Sequence, residues 1–439
     1  MIQESVTHFK NLLKINTSNP PGNEMGAIVY LKQILEREGL KVTIQETAKE
    51  RGNLVVRIQG SGEKRPLLIQ SHVDVVNAEP QFWKHDPFGA VEDDGFIYGR
   101  GAIDMKNFTT MCLMAVLKAH REKWPLKRDI IMAAVSDEET GAKFGMSALV
   151  DEMPELIRSE YAIGEVGGYT LYVGGKPVYP IQVGEKGVLW LEVTLSGEPG
   201  HGSMPREENV HWKVAKFLDA IHNTPFPFHP TESYRAFIKG LQRSASPLNK
   251  LLLNMMLTGA APFILKKQQL IKSDQTSAGL LAMMCNTVNP TGLASGRQHN
   301  VVPSTVTLKL DCRVIPGIDP SEVISEIEHV TGEKLNYSIV SDQLGHQSPM
   351  DTPLFNLICK STEAAHPGSV AIPWLTVGFT DAAQLQRLGT ICYGFTPVKL
   401  PPGVEFSKLY HGHNERVPVD GFLWGVDLFC GIVKQFCTT

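Results

Sequence analysis

No apolar run in this chain is long enough to span a bilayer; the best candidate, Gly259-Ala260-Ala261-Pro262-Phe263-Ile264-Leu265, is short and is closed by Lys266-Lys267. Basic excess is also missing. Lys and Arg number 42 against 46 Asp and Glu, for a formal charge of -4, and no Lys/Arg-rich tract occurs, so neither nucleic acid nor a membrane is an expected partner. The seven cysteines are odd in number, form no C-x-x-C pair and lie mostly inside apolar runs. That pattern predicts buried free thiols in a reducing compartment, with the cytoplasm as the expected location. The opening residues Met1-Ile2-Gln3-Glu4-Ser5-Val6 lack the positive region and apolar run of a secretory signal. There is no internal repeat and no low-complexity tract.

What is present is an ordinary globular composition, 42% hydrophobic and 20% charged, over 439 residues. That length exceeds what one hydrophobic core usually supports, so two domains are expected. From residue 4 to about 165, helical periodicities at 4–16, 24–38, 106–122 and 144–152 alternate with apolar, strand-like runs at 42–45, 53–58, 67–70, 129–134 and 161–164. This alternation predicts an α/β fold: an open, largely parallel sheet with helices on both faces. The texture changes near 186. Val188, Leu189, Leu191, Val193 and Leu195 predict a longer, half-solvated strand, followed by a Gly/Pro-rich turn with His201 and Ser203. A helix is expected at 209–221, mostly helical chain over 232–270, strands at 278–288, 303–313 and 335–340, and a helix at 320–331. These elements read as a smaller inserted α+β satellite or lid domain over 188–344. The first pattern then returns, with helices at 353–364 and 419–436. The catalytic domain is therefore expected to be discontinuous, 1–187 with 345–439. The Leu/Met-rich stretch 251–256 is expected to pack against its own domain, with a dimer face or a hydrophobic substrate wall as the other readings.

Five strand ends or loops of the first domain carry acidic or imidazole groups, most of them just past buried-type strands, where open α/β sheets keep their chemistry. They are His72 with Asp74, Asp104, Glu138 with Glu139, Glu165, and the run His411-Gly412-His413-Asn414-Glu415. Each alone also suits a solvated loop residue. Together they suit a metal site, since histidine and carboxylate oxygens are the donors a divalent zinc ion takes.

The ordered motifs carry more. Thr17-Ser18-Asn19-Pro20-Pro21-Gly22, Ser71-His72-Val73-Asp74, Gly99 to Lys106, Ser136-Asp137-Glu138-Glu139, Gly200-His201-Gly202-Ser203, Asn300-Val301-Val302-Pro303 and His411 to Glu415 span nearly the whole chain. In that order the sequence resembles the dinuclear zinc amidohydrolases and exopeptidases, a family that includes aminoacylases, acetylornithine deacetylases, succinyl-diaminopimelate desuccinylases and carboxypeptidase G. The resemblance implies two Zn²⁺ ions per chain, with Co²⁺ as a substitute. His72 and Glu165 would hold one, Glu139 and His411 the other, and Asp104 would bridge them. It implies that Asp74 orients the His72 imidazole and that Glu138 is the general base acting on a water between the metals. His411, four residues before Glu415, is the implied ligand, which leaves His413 on the rim. From the satellite, His201 would stabilise the oxyanion, and Asn300 and Arg313 would hold the substrate or its carboxylate. A cis peptide at Asp104-Met105 and a homodimer through the satellite are further implications. Asn107 departs from the glycine usual after Asp-Met-Lys and is expected to serve as a helix cap. Glu165, an aspartate in some members, leans toward the deacylases.

The expected reaction is hydrolysis of the amide bond of an N-acyl amino acid, or of a small peptide bearing a free carboxylate. A dipeptidase or carboxypeptidase with the same metals is the alternative enzyme. A non-catalytic binding protein on this scaffold is less expected, because all five ligand positions and Glu138 are intact.

Overall fold

The computed structural model describes residues 2–243, 245–272 and 275–439. The chain divides into two compact units. The larger comprises the residues up to Val183 together with Ser348–Trp374 and Thr380–Thr439; the smaller comprises Gly184–Gln347 and Leu375–Phe379.

In the larger unit, strands Leu67–His72, Ile130–Val135 and Tyr161–Gly164 are buried along their whole length. Continuous apolar strands of this kind need cover on both faces, which parallel sheets have. Accordingly Leu67–His72 lies between the other two and runs parallel to both, and Ile391–Gly394 adds parallel to Tyr161–Gly164. Antiparallel strands flank this centre: the hairpin Val42–Ala48 and Arg51–Ile58 on one side and Lys176–Glu185 on the other. The period of two along each strand sorts the side chains into two cores. Leu67, Ile69, Ile130, Met132 and Ala134 face the larger one, under helices Ile2–Lys14, Met25–Arg37, Lys106–Arg121 and Val419–Thr438. Leu68, Ile131, Ala133 and Val135 face a smaller core with Met146, Leu149, Leu385 and Cys392. The fold is thus α/β with helices on both faces, but the sheet is mixed, parallel only at its centre. Strand Lys176–Glu185 carries no sequence-based expectation, although eight of its ten residues are buried.

The smaller unit is built on a four-stranded antiparallel sheet in the order Thr287–Ala294, Thr305–Val314, Gly187–Ser196, Tyr337–Gln343. Helices Val210–Asn223 and Pro320–Thr331 contribute apolar stripes to its core: Val210, Val214, Phe217 and Ile221 from the first, Val323, Ile324 and Ile327 from the second. The Asp319/Glu322 capping box opens the second helix, and Gly332, at φ 71°, closes it. The strand expected at 278–288 is instead helix Gln275–Met284 followed by strand Thr287–Ala294. A short apolar run such as Leu280-Leu281-Ala282-Met283-Met284 cannot be assigned by periodicity, and here Leu281, Met283 and Met284 are buried from a helix. The region expected to be mostly helical forms Glu232–Gln242, Pro247–Met255 and Ala261–Lys272; Ser244 lies outside the described residues. Helix Pro247–Met255 buries none of its residues, so Leu251 and Leu252 do not pack into their own unit. All seven cysteines are free thiols. Among the described residues no helix is long and apolar enough to cross a membrane.

Lys186 of the smaller unit is fully buried, and its Nζ donates to the Cys285 carbonyl at 2.8 Å and to Thr287 Oγ1 at 3.2 Å. Burial pulls its pKa down to about 7. The unfolded chain, with a lysine pKa of about 10.4, holds a proton that the folded chain has lost between these values, so this group makes stability rise with pH across that window. Comparison with Lys186→Met by urea unfolding from pH 6 to 10 should show the difference between the two proteins shifting toward the wild type above pH 7. A difference independent of pH would contradict this.

Candidate metal centre

Three parallel strands deliver the first groups. Leu67–His72 ends on His72, Ile130–Val135 runs into Asp137-Glu138-Glu139, and Tyr161–Gly164 leads into Glu165. Asp104 precedes helix Lys106–Arg121, and His411 follows the short helix Phe406–Leu409. His72 Nε2 lies 3.0 Å from Asp104 Oδ1 and 3.5 Å from Glu165 Oε2. His411 Nε2 lies 3.0 Å from Asp104 Oδ2 and 3.1 Å from Glu139 Oε2. Asp104 therefore turns one carboxylate oxygen to each imidazole. Donor atoms of His72, Glu138 and Glu165 lie within 4.8 Å of one another, as do those of His72, Asp104 and Glu139. His413 is placed elsewhere: it pairs with Glu79 at 3.1 Å and stacks on Phe82.

The charge state of this cluster asks for a cation. Burial, followed by the charge of Asp104, pushes the Glu139 carboxyl up to about 7. Burial and then the Glu165 carboxylate raise Glu138, with Glu139 and Asp381 adding to the effect. Burial also raises Glu165. For both imidazoles burial acts downward but is outweighed: the Glu165 charge and the Asp104 hydrogen bond hold His72 well above its ordinary value, and Asp104 with Glu139 takes His411 to about 10. Burial acts upward on Asp104, yet the two histidines hold it below the carboxylate range. Glu139 Oε1 is buried with no hydrogen-bond partner among the described residues. Two imidazoles, carboxylates that repel one another and an orphaned carboxylate oxygen form a donor set that fits divalent cations.

A second layer fixes these donors. His72 Nδ1 lies 3.0 Å from the Asp74 carbonyl, which can only accept, so Nδ1 carries a proton and Nε2, which faces the carboxylates, is the nitrogen that would give up its proton to bind a cation. The Asp74 carboxylate, 3.4 Å from the same nitrogen, instead accepts the backbone N–H groups of Glu138 and Glu139, both at 3.2 Å. Asp137, in the left-handed region at φ 68°, makes the turn before them and takes Arg51 Nη1 at 2.9 Å. Asn19 Nδ2 donates to Asp74 Oδ2 and Asp137 Oδ1, and Arg51 also pairs with buried Glu24. On the other side, Glu415 accepts from the backbone of Gly101, Ile103 and Asp104 and from Arg100. Asn19, Arg51, Asp381 and Glu415 have no individual role in the sequence reading. Asn19 and Glu415 belong to the ordered motifs, whereas Arg51 and Asp381 lie outside them and carry no signal in the sequence. The Asp104–Met105 peptide is cis, as the resemblance implies. Asn107 accepts Phe108 N–H at 2.7 Å, a first-turn donor, while Met105 occupies the cap position.

In the smaller unit, His201 and Asn300 come together. Gly200–His201 pairs with Val301–Val302, and the Asn300 carbonyl accepts Gly202 N–H at 2.8 Å. His201 is exposed; Nδ1 contacts Ser203 Oγ at 2.8 Å, and Nε2 has no partner among the described residues. Arg313 lies apart from them in strand Thr305–Val314, where it forks the Asp311 carboxylate at 2.7 and 3.0 Å.

A model of the peptidase family M20/M25/M40 matches residues 68–435, most of the chain and every donor of the cluster. The chain belongs to this peptidase family. Mouse aminoacylase-1 is 27% identical to this M20-family chain over 450 residues, covering 99% of the chain and 95% of the relative. The human N-fatty-acyl-amino acid synthase/hydrolase PM20D1 is 28% identical over 396 residues, with 86% and 76% covered. Among solved structures, the M20 family metallo-carboxypeptidase Sso-CP2 of Sulfolobus solfataricus shares the fold, with a TM-score of 0.73 and 19% identity over 99% of this chain and all of that one. Human carnosine dipeptidase 1 gives 0.65 at 15% identity, covering 100% and 97%.

Because Glu415 ties down the Asp104 loop without reaching the cluster, this M20 enzyme offers a direct test of that layer. Glu415→Gln should leave the fold intact and weaken metal binding by about 10- to 100-fold. Chelator competition read against circular dichroism measures both. Unchanged metal affinity would show that the loop holds itself.

Proposed function

We propose that this M20 peptidase hydrolyses the amide bond of an N-acyl amino acid, the free amino-acid carboxylate being part of what it recognises. The observation that carries this reading is Asp104, placed between two imidazole–carboxylate pairs with Glu138 alongside. The donor set is proposed as one site of His72, Glu165 and Asp104 and a second of Asp104, Glu139 and His411, each for Zn²⁺. Such ions supply Lewis acidity and a water of lowered pKa. The chain's own part is proton handling and orientation. Glu138 takes the proton of the attacking water and gives it to the nitrogen as the C–N bond breaks, so the amine leaves neutral and the acyl group is formed as the carboxylic acid, whose remaining proton then passes to the amine, leaving carboxylate and ammonium. Burial, and next the Glu165 carboxylate, raise the pKa of Glu138 above the ordinary carboxylate range, the direction that strengthens it as a proton acceptor. Asp74 positions His72 and the Glu138-Glu139 turn together. His201 is proposed to donate to the developing oxyanion, and Asn300 to hold the substrate. Arg313 is proposed for the substrate carboxylate, a role for which it would exchange Asp311.

Likeness to aminoacylase-1 over nearly the full length supports the deacylase form of the reading. Assay of the zinc- or cobalt-loaded protein on N-acetyl, N-succinyl and long-chain N-acyl amino acids beside dipeptides decides it. Faster turnover of dipeptides would move the assignment to a dipeptidase or carboxypeptidase.

Exchange of the two adjacent glutamates separates their roles. Glu138→Gln should keep about two ions per chain and ordinary substrate affinity while losing kcat by about 100-fold or more. Glu139→Gln should instead lose metal. If Glu138→Gln loses metal and Glu139→Gln does not, the assignments are reversed.

His201→Ala should leave metal content and substrate affinity near normal and lower kcat by about 100-fold. Unchanged kcat would return His201 to an ordinary turn residue. Activity recovered on mixing subunits of inactive Glu138→Gln and His201→Ala proteins would require a dimer in which the histidine serves its partner.

A further inference from the structure

The smaller unit contains a cleft of about 540 Å³ between the C-terminal turn of helix Val210–Asn223, helices Ala261–Lys272 and Gln275–Met284, and the start of strand Thr287–Ala294. That volume is within the range of small-ligand sites. Ile221, Phe226, Ala278, Leu281 and Val288 form apolar walls, and polar side chains such as Thr224, Asn286 and Asn289 line the remainder. Lys266 is the one ammonium on the lining, and among the described residues no carboxylate lies within ion-pair distance of it. Partial burial, with no offsetting charge, lowers its pKa. Gln269, one turn further along the same helix, also lines the cleft and hydrogen-bonds to no described residue. None of these residues belongs to the metal cluster of the larger unit.

We propose that this cleft is a second ligand site, which binds the carboxylate of an amphipathic acyl chain at Lys266 with the chain along the apolar walls. A partly desolvated cation with no carboxylate partner among the described residues is stabilised by a monoanion. Apolar walls favour a hydrocarbon tail, and one cation is too few for the multiply charged phosphate groups of nucleotides or sugar phosphates. The argument is independent of the reaction at the metal cluster, although the acyl carboxylate released by the proposed hydrolysis is of the same chemical class.

The test uses chelator-treated full-length protein, so that carboxylate binding at metal cannot contribute. Calorimetric titration with octanoate, decanoate and dodecanoate, kept below micelle formation, should give one site per chain that tightens about fourfold per methylene. Lys266→Met should weaken decanoate by about tenfold or more and leave decanol unchanged. Ala278→Trp, which fills the cleft, should abolish binding of both while circular dichroism and metal content on reloading stay those of the wild type. Equal decanoate affinity in wild type and Lys266→Met, or binding that survives Ala278→Trp, would overturn the proposal. So would a cleft closed by a second copy of the chain, seen as oligomerisation that decanoate does not reverse and Ala278→Trp disrupts. Failure of the hydrolysis assay would leave these binding outcomes unaffected, so the two readings fail separately.

Discussion

Asp104 lies 3.0 Å from each of two histidine nitrogens through different oxygens, and the rest of the larger unit is arranged around keeping it there. A carboxylate this deeply buried is unfavourable without compensation. Its compensation comes from imidazoles that are in turn crowded by Glu139 and Glu165. The protein thus concentrates negative charge inside an apolar frame and leaves the balance to positive charge: protons on the histidines when no metal is bound, divalent cations when it is. The same crowding gives Glu138 its raised pKa. Metal affinity and proton transfer therefore arise from one electrostatic arrangement.

Holding like charges together requires a stiff support. Asp74 serves four partners, with its carbonyl on His72 and its carboxylate on Asn19 and on the backbone N–H groups of Glu138 and Glu139. Asp137 needs left-handed backbone at the head of that turn, and Arg51 and Asn19 satisfy its side chain. Gly145 belongs to the same support: a Cβ there would meet the Ser136 carbonyl at 1.7 Å, so the chain after the turn can close on the strand end only with glycine. Arg51 between Glu24 and Asp137 is a buried ion network of the kind that contributes orientation more than net stability.

Continuous apolar runs at 67–70, 129–134 and 161–164 were sufficient to read the central strands, because strands buried on both faces have no polar positions to blur the signal. Helix Pro320–Thr331 was equally legible, since its cap and its amphipathic stripe agree. Legibility failed where local pattern is ambiguous or the cause is distant. The 278–288 region reads as strand or helix on hydrophobicity alone. Lys176–Glu185 begins with Lys176-Pro177, a poor advertisement for a sheet strand, and is made one by its neighbours. The clustered residues His72, Asp104, Glu138, Glu139 and His411 stand in the ordered motifs, and Glu165 was singled out by its place after a buried-type strand. Asn19 stands in a motif without showing its role, and Arg51 stands in none, because a residue that orients another across 55 or 86 positions of chain gives no local sign of what it does.

That long reach bears on how the site forms. Asp104 and His411 are 307 residues apart, and the other donors come from three further loops. No local peptide holds enough of the set to bind a metal tightly, so the donors converge only after the central sheet and its covering helices are in place. Helix Lys106–Arg121 supplies the fixed side of this convergence. Almost all its residues are buried, and Phe108 at its start packs edge-on against Phe429 of the C-terminal helix at 4.9 Å. The hydrophobic core therefore does more than stabilise the unit: it offsets the cost of holding repelling carboxylates at the distances from which a cation can balance them.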